Sequence, residues 1–182
     1  MNKIKKSLIL SQVILFAGII VSIIIRPKGL SINNGISYYG IHLNTLPLYV
    51  LSLAGSTFIG FKIAVNNIKS KKYQVIKYLL ISLFPLTLAL IIFPYNINST
   101  YNLIHELLGT LIFLFQAIIS LIILTKLARN IFNYILFIIQ IIGGLVAGYY
   151  LFPSQGFLIQ GQLLFQLAFG LILIKNSIYL TE

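Results

Sequence analysis

An all-α polytopic membrane protein is the fold class the sequence predicts: a six-transmembrane-helix up-and-down bundle with N- and C-termini cytoplasmic. Three observations carry it. Hydrophobic residues make up 59% of the 182 residues and charged residues only 8%, whereas a soluble domain devotes about a quarter of its residues to charge. The apolar residues gather into repeated runs near the length a helix needs to cross a bilayer, about 18 residues or more. The 13 Lys and Arg residues fall almost wholly in short segments between those runs, and mostly on one side of the predicted spans.

That placement decides what the charge is for. A net charge of +11 could signal nucleic acid, because basic patches bind phosphate. Cations confined to interhelical segments follow the positive-inside rule instead. The lipid bilayer is therefore the expected partner, nucleic acid is not, and a prokaryotic plasma membrane is the expected location. Cysteine is absent, which excludes disulfides, thiol catalysis and thiolate metal sites.

The chain is expected to form a single transmembrane domain over residues 1–182. Lys3, Lys5 and Lys6 precede an apolar run, and the first span is placed at 8–25. Arg26-Pro27 closes it without a small-residue cleavage site, so it is expected to stay in the protein rather than leave as a signal peptide. Residues 26–45 form an outer loop rich in the turn formers Pro, Asn and Gly. The second span, 46–65, carries Ser52, Ser56 and Gly60 every four residues, a small-residue face suited to close helix packing. A basic linker with Lys69, Lys71, Lys72 and Lys77 follows, and should be cytoplasmic. The third span, 78–93, contains Pro85, which is expected to kink it.

Asn98-Ser99-Thr100 matches a glycosylation acceptor and leads into the fourth span, 103–125. The fifth span, 131–151, contains Gly144 and Gly148 at a spacing that lets helix backbones approach. The sixth covers 157–174. The Ser52/Ser56/Gly60 and Gly144/Gly148 faces are the candidate homo- or hetero-oligomer surfaces. Tyr38, Tyr39, Tyr78, Tyr95, Tyr101, Tyr149, Tyr150 and Tyr179 fall near predicted interfaces. In a chain without Trp they would supply the aromatic belt.

Two polar groupings are candidate sites. The first lies at the outer mouth: His105, Glu106, His42, Arg26, Lys28, Tyr38 and Tyr39. Glu106, the only acid before the last residue, is expected in the first turn of its helix. There a carboxylate meets the positive end of the helix dipole, and Asn102 or Thr100 would cap the helix. Arg26 or Lys28 could pair with Glu106. Against this stabilising role stands a binding role, because ionisable residues in spans are functional candidates.

The second grouping is Gln116, Gln140 and Gln166 at matching depth in spans four, five and six. Amides facing lipid would be unpaired, so these should point inward. They would serve as glue between helices or as the lining of a polar path. Gln162 and Gln166 share one face, and Gln116 and Ser120 another. With no Asp in the chain, a Ser-His-Asp triad and a carboxylate pair are both unavailable. Two histidines could in principle ligate haem iron, but one is in a loop, and neither cofactor nor metal is expected.

The layout resembles a broad group of uncharacterised bacterial and archaeal six-span membrane proteins, distantly similar to the DRAM-like (damage-regulated autophagy modulator) family. The likeness is carried by Gly35-Ile-Ser-Tyr-Tyr-Gly40 in the first outer loop, Phe93-Pro94 closing span three, and His105 opening span four. The DRAM-like pattern tends to place an acid after the loop serine, where this chain has Tyr38. The resemblance implies a membrane protein without an established activity.

The leading functional expectation is non-enzymatic binding of a lipid or small apolar molecule, or organisation of a membrane complex. The alternatives are an outer-face enzyme or redox carrier using His105, Glu106 and His42, and a small transporter with a glutamine-lined path.

Overall fold

The computed structural model describes residues 3–30, 35–148 and 157–178. Six helices run through them: α1 (Lys3–Ile25), α2 (Leu46–Asn67), α3 (Gln74–Ile92), α4 (Ser99–Ile122), α5 (Ile131–Gly148) and α6 (Leu158–Lys175). The last turn of α4 widens into a π turn over Ile123–Leu127, closed by the Ala128 amide donating to the Ile123 carbonyl at 2.9 Å. Each helix is long and apolar enough to cross a membrane, the shortest having 18 residues, within the range of about 17–25 that a bilayer core requires. Together they make an all-helical bundle in which consecutive helices pack side by side.

The bundle has two distinct ends. At the basic end lie Lys3 of α1, the linker between α2 and α3, and Lys175 of α6. At the loop end, two 3-10 turns, Pro27–Leu30 and Ile36–Ile41, lie between α1 and α2 and cap the helices.

Side-chain pairs across helices fix the order and direction. Ser11 of α1 donates to the Ser56 carbonyl of α2 at 3.0 Å, and Gly18 of α1 lies against Ser52; one helix position rises as the other falls, so the pair is antiparallel. Phe58 and Phe61 of α2 meet Phe84 of α3. Phe113 and Gln116 of α4 meet Phe165 and Gln166 of α6, which places those two helices parallel. The larger apolar core lies toward the basic end, around Ile68, Ile76, Ile119, Ile123 and Ile172, and a smaller one beneath the cap contains Ile19, Tyr39, Tyr49 and Ile159. Large apolar side chains such as Leu51, Ile92, Leu107 and Leu145 are exposed around the bundle, as suits a lipid-facing surface.

Several expected boundaries move. α1 begins at Lys3 rather than Leu8, because lysine stems continue a helix while the ammonium groups reach water. α4 begins at Ser99 rather than Leu103. Its N-cap is Asn98, whose side chain accepts the Tyr101 amide at 2.9 Å. Asn102, expected as that cap, instead accepts the Asn96 amide at 2.7 Å. α3 continues through Pro85 without interruption.

Of the small-residue faces, Ser52 and Ser56 are buried against α1, whereas a Cβ on Gly60 would meet nothing within 4 Å. The close approach of α5 to α6 centres on Gly143 and Gly161, one register away from Gly144 and Gly148. A Cβ on Gly143 would lie 2.6 Å from the Phe165 amide nitrogen, and one on Gly161 2.5 Å from that of Ala147. Glycine is needed there because the two backbones touch. Gly148 faces open space. Tyr149, Tyr150, Tyr179 and the predicted end of span five at 151 lie outside the described residues.

Candidate functional site

The cap is built from backbone needs first. At Gly35 the chain takes φ 58° and ψ −160°, a region essentially reserved for glycine, and turns into the second 3-10 element. The Ile36 amide then donates to Gln162 Oε1 of α6 at 2.8 Å. Thr45, fully buried, donates its hydroxyl to the Tyr39 carbonyl at 2.8 Å and closes the turn onto α2. Gln162, expected on the face of Gln166, therefore fastens the cap rather than joining a glutamine cluster.

This geometry turns Tyr38 and Tyr39 inward. They are 6% and 1% exposed, so they do not belong to an aromatic belt. Their rings meet edge to face at 5.4 Å, and His42 meets Tyr38 at 4.6 Å. The Arg26 guanidinium sits 5.9 Å from the Tyr38 ring centre and donates to Asn44 Oδ1 at 3.4 Å. Two buried polar atoms of this cluster, the Tyr39 hydroxyl and His42 Nε2, have no hydrogen-bond partner among the described residues. Burial, reinforced by the neighbouring Tyr38, raises the Tyr39 pKa. Burial and the nearby Arg26 charge lower that of His42, which keeps its ring neutral at pH 7.

His105 does not join His42. It is 7% exposed and ties the cap to the start of α4. Its Nδ1 lies 2.7 Å from the Phe93 carbonyl oxygen, and its Nε2 lies 2.6 Å from Ser37 Oγ. A carbonyl only accepts, so Nδ1 carries the proton and Nε2 accepts from the Ser37 hydroxyl. Two hydrogen bonds therefore run one way: Ser37 donates to His105, and His105 donates to the Phe93 carbonyl. Both ring nitrogens of His105 are thereby engaged. Ser37 was not among the expected site residues. It lies 68 positions from His105, and no local spacing signals the pairing.

Glu106 lies in the second turn of α4, beyond the first turn where the helix dipole acts, and is exposed. Arg26, expected with Lys28 as a partner for Glu106, donates a side-chain hydrogen bond to Asn44 within the cap. Lys28 is exposed on the first 3-10 turn.

Deeper in the bundle, Gln116 and Gln166 form a reciprocal amide pair. Gln166 Nε2 donates to Gln116 Oε1 at 2.8 Å and Gln116 Nε2 donates back at 3.2 Å. Gln140 is fully buried but stands apart, and neither of its amide atoms has a partner among the described residues. The Gln116–Gln166 pair borders a cavity of about 50 Å³ that Ser11, Gln12, Ser56 and Thr57 also line. A buried water needs roughly 10–15 Å³, so a few waters fit; a small-molecule pocket starts near about 300 Å³.

These features define an integral membrane protein: a bundle of six helices long and apolar enough to cross a membrane, with buried polar side chains under the cap, at mid-depth and at the basic end. Compared with protein-family models, curated proteins and solved structures, the chain matches none.

Proposed function

We propose that the protein spans the plasma membrane with its basic end in the cytoplasm and binds a lipid or other small amphiphile beneath the cap at its outer end. The orientation follows the cation distribution: Lys3, Lys5, Lys6, Lys62, Lys69, Lys71, Lys72, Lys77, Lys126, Arg129 and Lys175 belong to the basic end, and Arg26 and Lys28 to the other. The binding reading rests on one observation. The Tyr39 hydroxyl and His42 Nε2, whose rings both meet the Tyr38 ring, are buried without partners among the described residues. Such orphaned groups cost about 1–3 kcal/mol each unless something satisfies them. A molecule with a polar head and an apolar body would do so, with Arg26 beside it. The resemblance to the DRAM-like group, carried by the layout and by Gly35-Ile-Ser-Tyr-Tyr-Gly40, Phe93-Pro94 and His105, is compatible with this reading.

Native mass spectrometry of the detergent-extracted protein tests the reading. The wild type is expected to carry a bound lipid, and Tyr39→Phe, which removes only the orphaned hydroxyl, to carry at least several-fold less. Folded wild-type protein that leaves detergent bare would rule it out.

A further inference from the structure

We infer that Ser37 and His105 form a nucleophile–base couple that hydrolyses acyl esters at the loop end, an activity beyond lipid binding. Nucleophilic catalysis by serine needs three things: an adjacent base with a free lone pair, a group that fixes and charges that base, and access for a substrate. The loop end supplies all three. His105 Nε2, the unprotonated nitrogen, accepts from Ser37 at 2.6 Å. His105 is buried, whereas Ser37 is partly exposed at the edge of the cap, so the nucleophile faces the substrate and the base is sheltered.

The third requirement is where an aspartate usually stands, and this chain has none. Its place is taken by the end of α3. Phe93 is the C-cap of that helix, and its carbonyl, one of those left unpaired where a helix stops, accepts the His105 Nδ1 proton at 2.7 Å. A helix C-terminus carries about half a negative charge. It therefore fixes the tautomer and favours the imidazolium that forms when His105 takes a proton. Pro94 follows directly, cannot continue the helix, and leaves that end open to the ring.

The step balances without any co-reactant except water. Ser37 Oγ bonds to the ester carbonyl carbon while its proton moves to His105 Nε2. The C–O bond to the alcohol breaks, and the leaving oxygen takes that proton. Water then gives a proton to His105 and its oxygen to the acyl carbon. The Ser37–acyl bond breaks, and Ser37 recovers its proton from the ring. The substrate class is an uncharged ester with an apolar acyl chain, since the couple stands at the end of an apolar bundle.

A fluorophosphonate probe applied to the full chain in detergent, with the modified residue located by peptide mass spectrometry, decides the matter. Selective modification of Ser37 is expected, with the exposed Ser99 of the same end unmodified. His105→Gln should slow modification by about 10²–10⁴-fold, the usual worth of a general base. Absence of an adduct on Ser37 in folded wild-type protein, or equal modification of Ser37 and Ser99, overturns the proposal. The wild-type comparison stands even if His105→Gln fails to fold. Lipid retention read by native mass spectrometry on the same sample separates this outcome from the fate of the binding reading.

Discussion

His42 packs edge to face on the Tyr38 ring and feels the Arg26 charge, and this has a consequence for pH. An unfolded imidazole keeps its proton up to about pH 6.5. In the folded protein, burial and Arg26 make the same ring release its proton at lower pH. Between those two values the unfolded chain binds more protons, so stability rises with pH there and falls on acidification. The melting temperature is expected to drop as pH is lowered from 7 through about 6.5 and below, with a shallower dependence in His42→Gln. Thermal unfolding at a series of pH values checks it; a slope unchanged by the substitution would refute it. At this scale the sequence was partly legible. The rarity of His105 and Glu106 marks their turn of α4 in the sequence, but the partner of His105 is a serine in the cap. Only the folded chain brings those two together.

Among the elements, α4 and α6 are joined at mid-depth by a symmetrical bond. Because each amide of the Gln116–Gln166 pair satisfies the other, Gln116→Leu strands a polar group in the apolar core. We expect a loss of about 0.6–2 kcal/mol, and a double Gln116→Leu, Gln166→Leu variant that loses less than the two single losses combined. Denaturation in mixed micelles, read as a double-mutant cycle, measures the coupling; additive losses would mean that the pair contributes nothing. All six helices were legible in the sequence because hydropathy alone sets them. Their ends were less so. The Asn98-Ser99-Thr100 stretch looks like a loop by polarity, yet Asn98 caps a helix that Ser99 begins. Capping residues and loop residues are the same chemical types, which is why α4 starts four residues earlier than hydropathy placed it.

For the whole molecule, the proposed orientation can be read directly, since the chain has no cysteine to remove. A cysteine at Leu43, 88% exposed in the cap, is expected to react with a membrane-impermeant maleimide in intact cells. One at Lys71, exposed in the basic linker, should react only after lysis. The reverse pattern would invert the protein in the membrane. The bundle also has a seam. α5 lies mainly against α6, and α6 in turn meets α1 and α4. The α5–α6 hairpin carries its own clasps: Asn133 and Asn176 exchange amide hydrogen bonds at 3.2 Å, and Lys175 donates to Asn130 at 3.0 Å. The hairpin therefore resembles a cartridge seated against α1 and α4. Two separately encoded polypeptides, divided between Ala128 and Arg129, should find each other in the bilayer and copurify as one complex. A gene for this protein could thus be broken at that point without losing the assembled product.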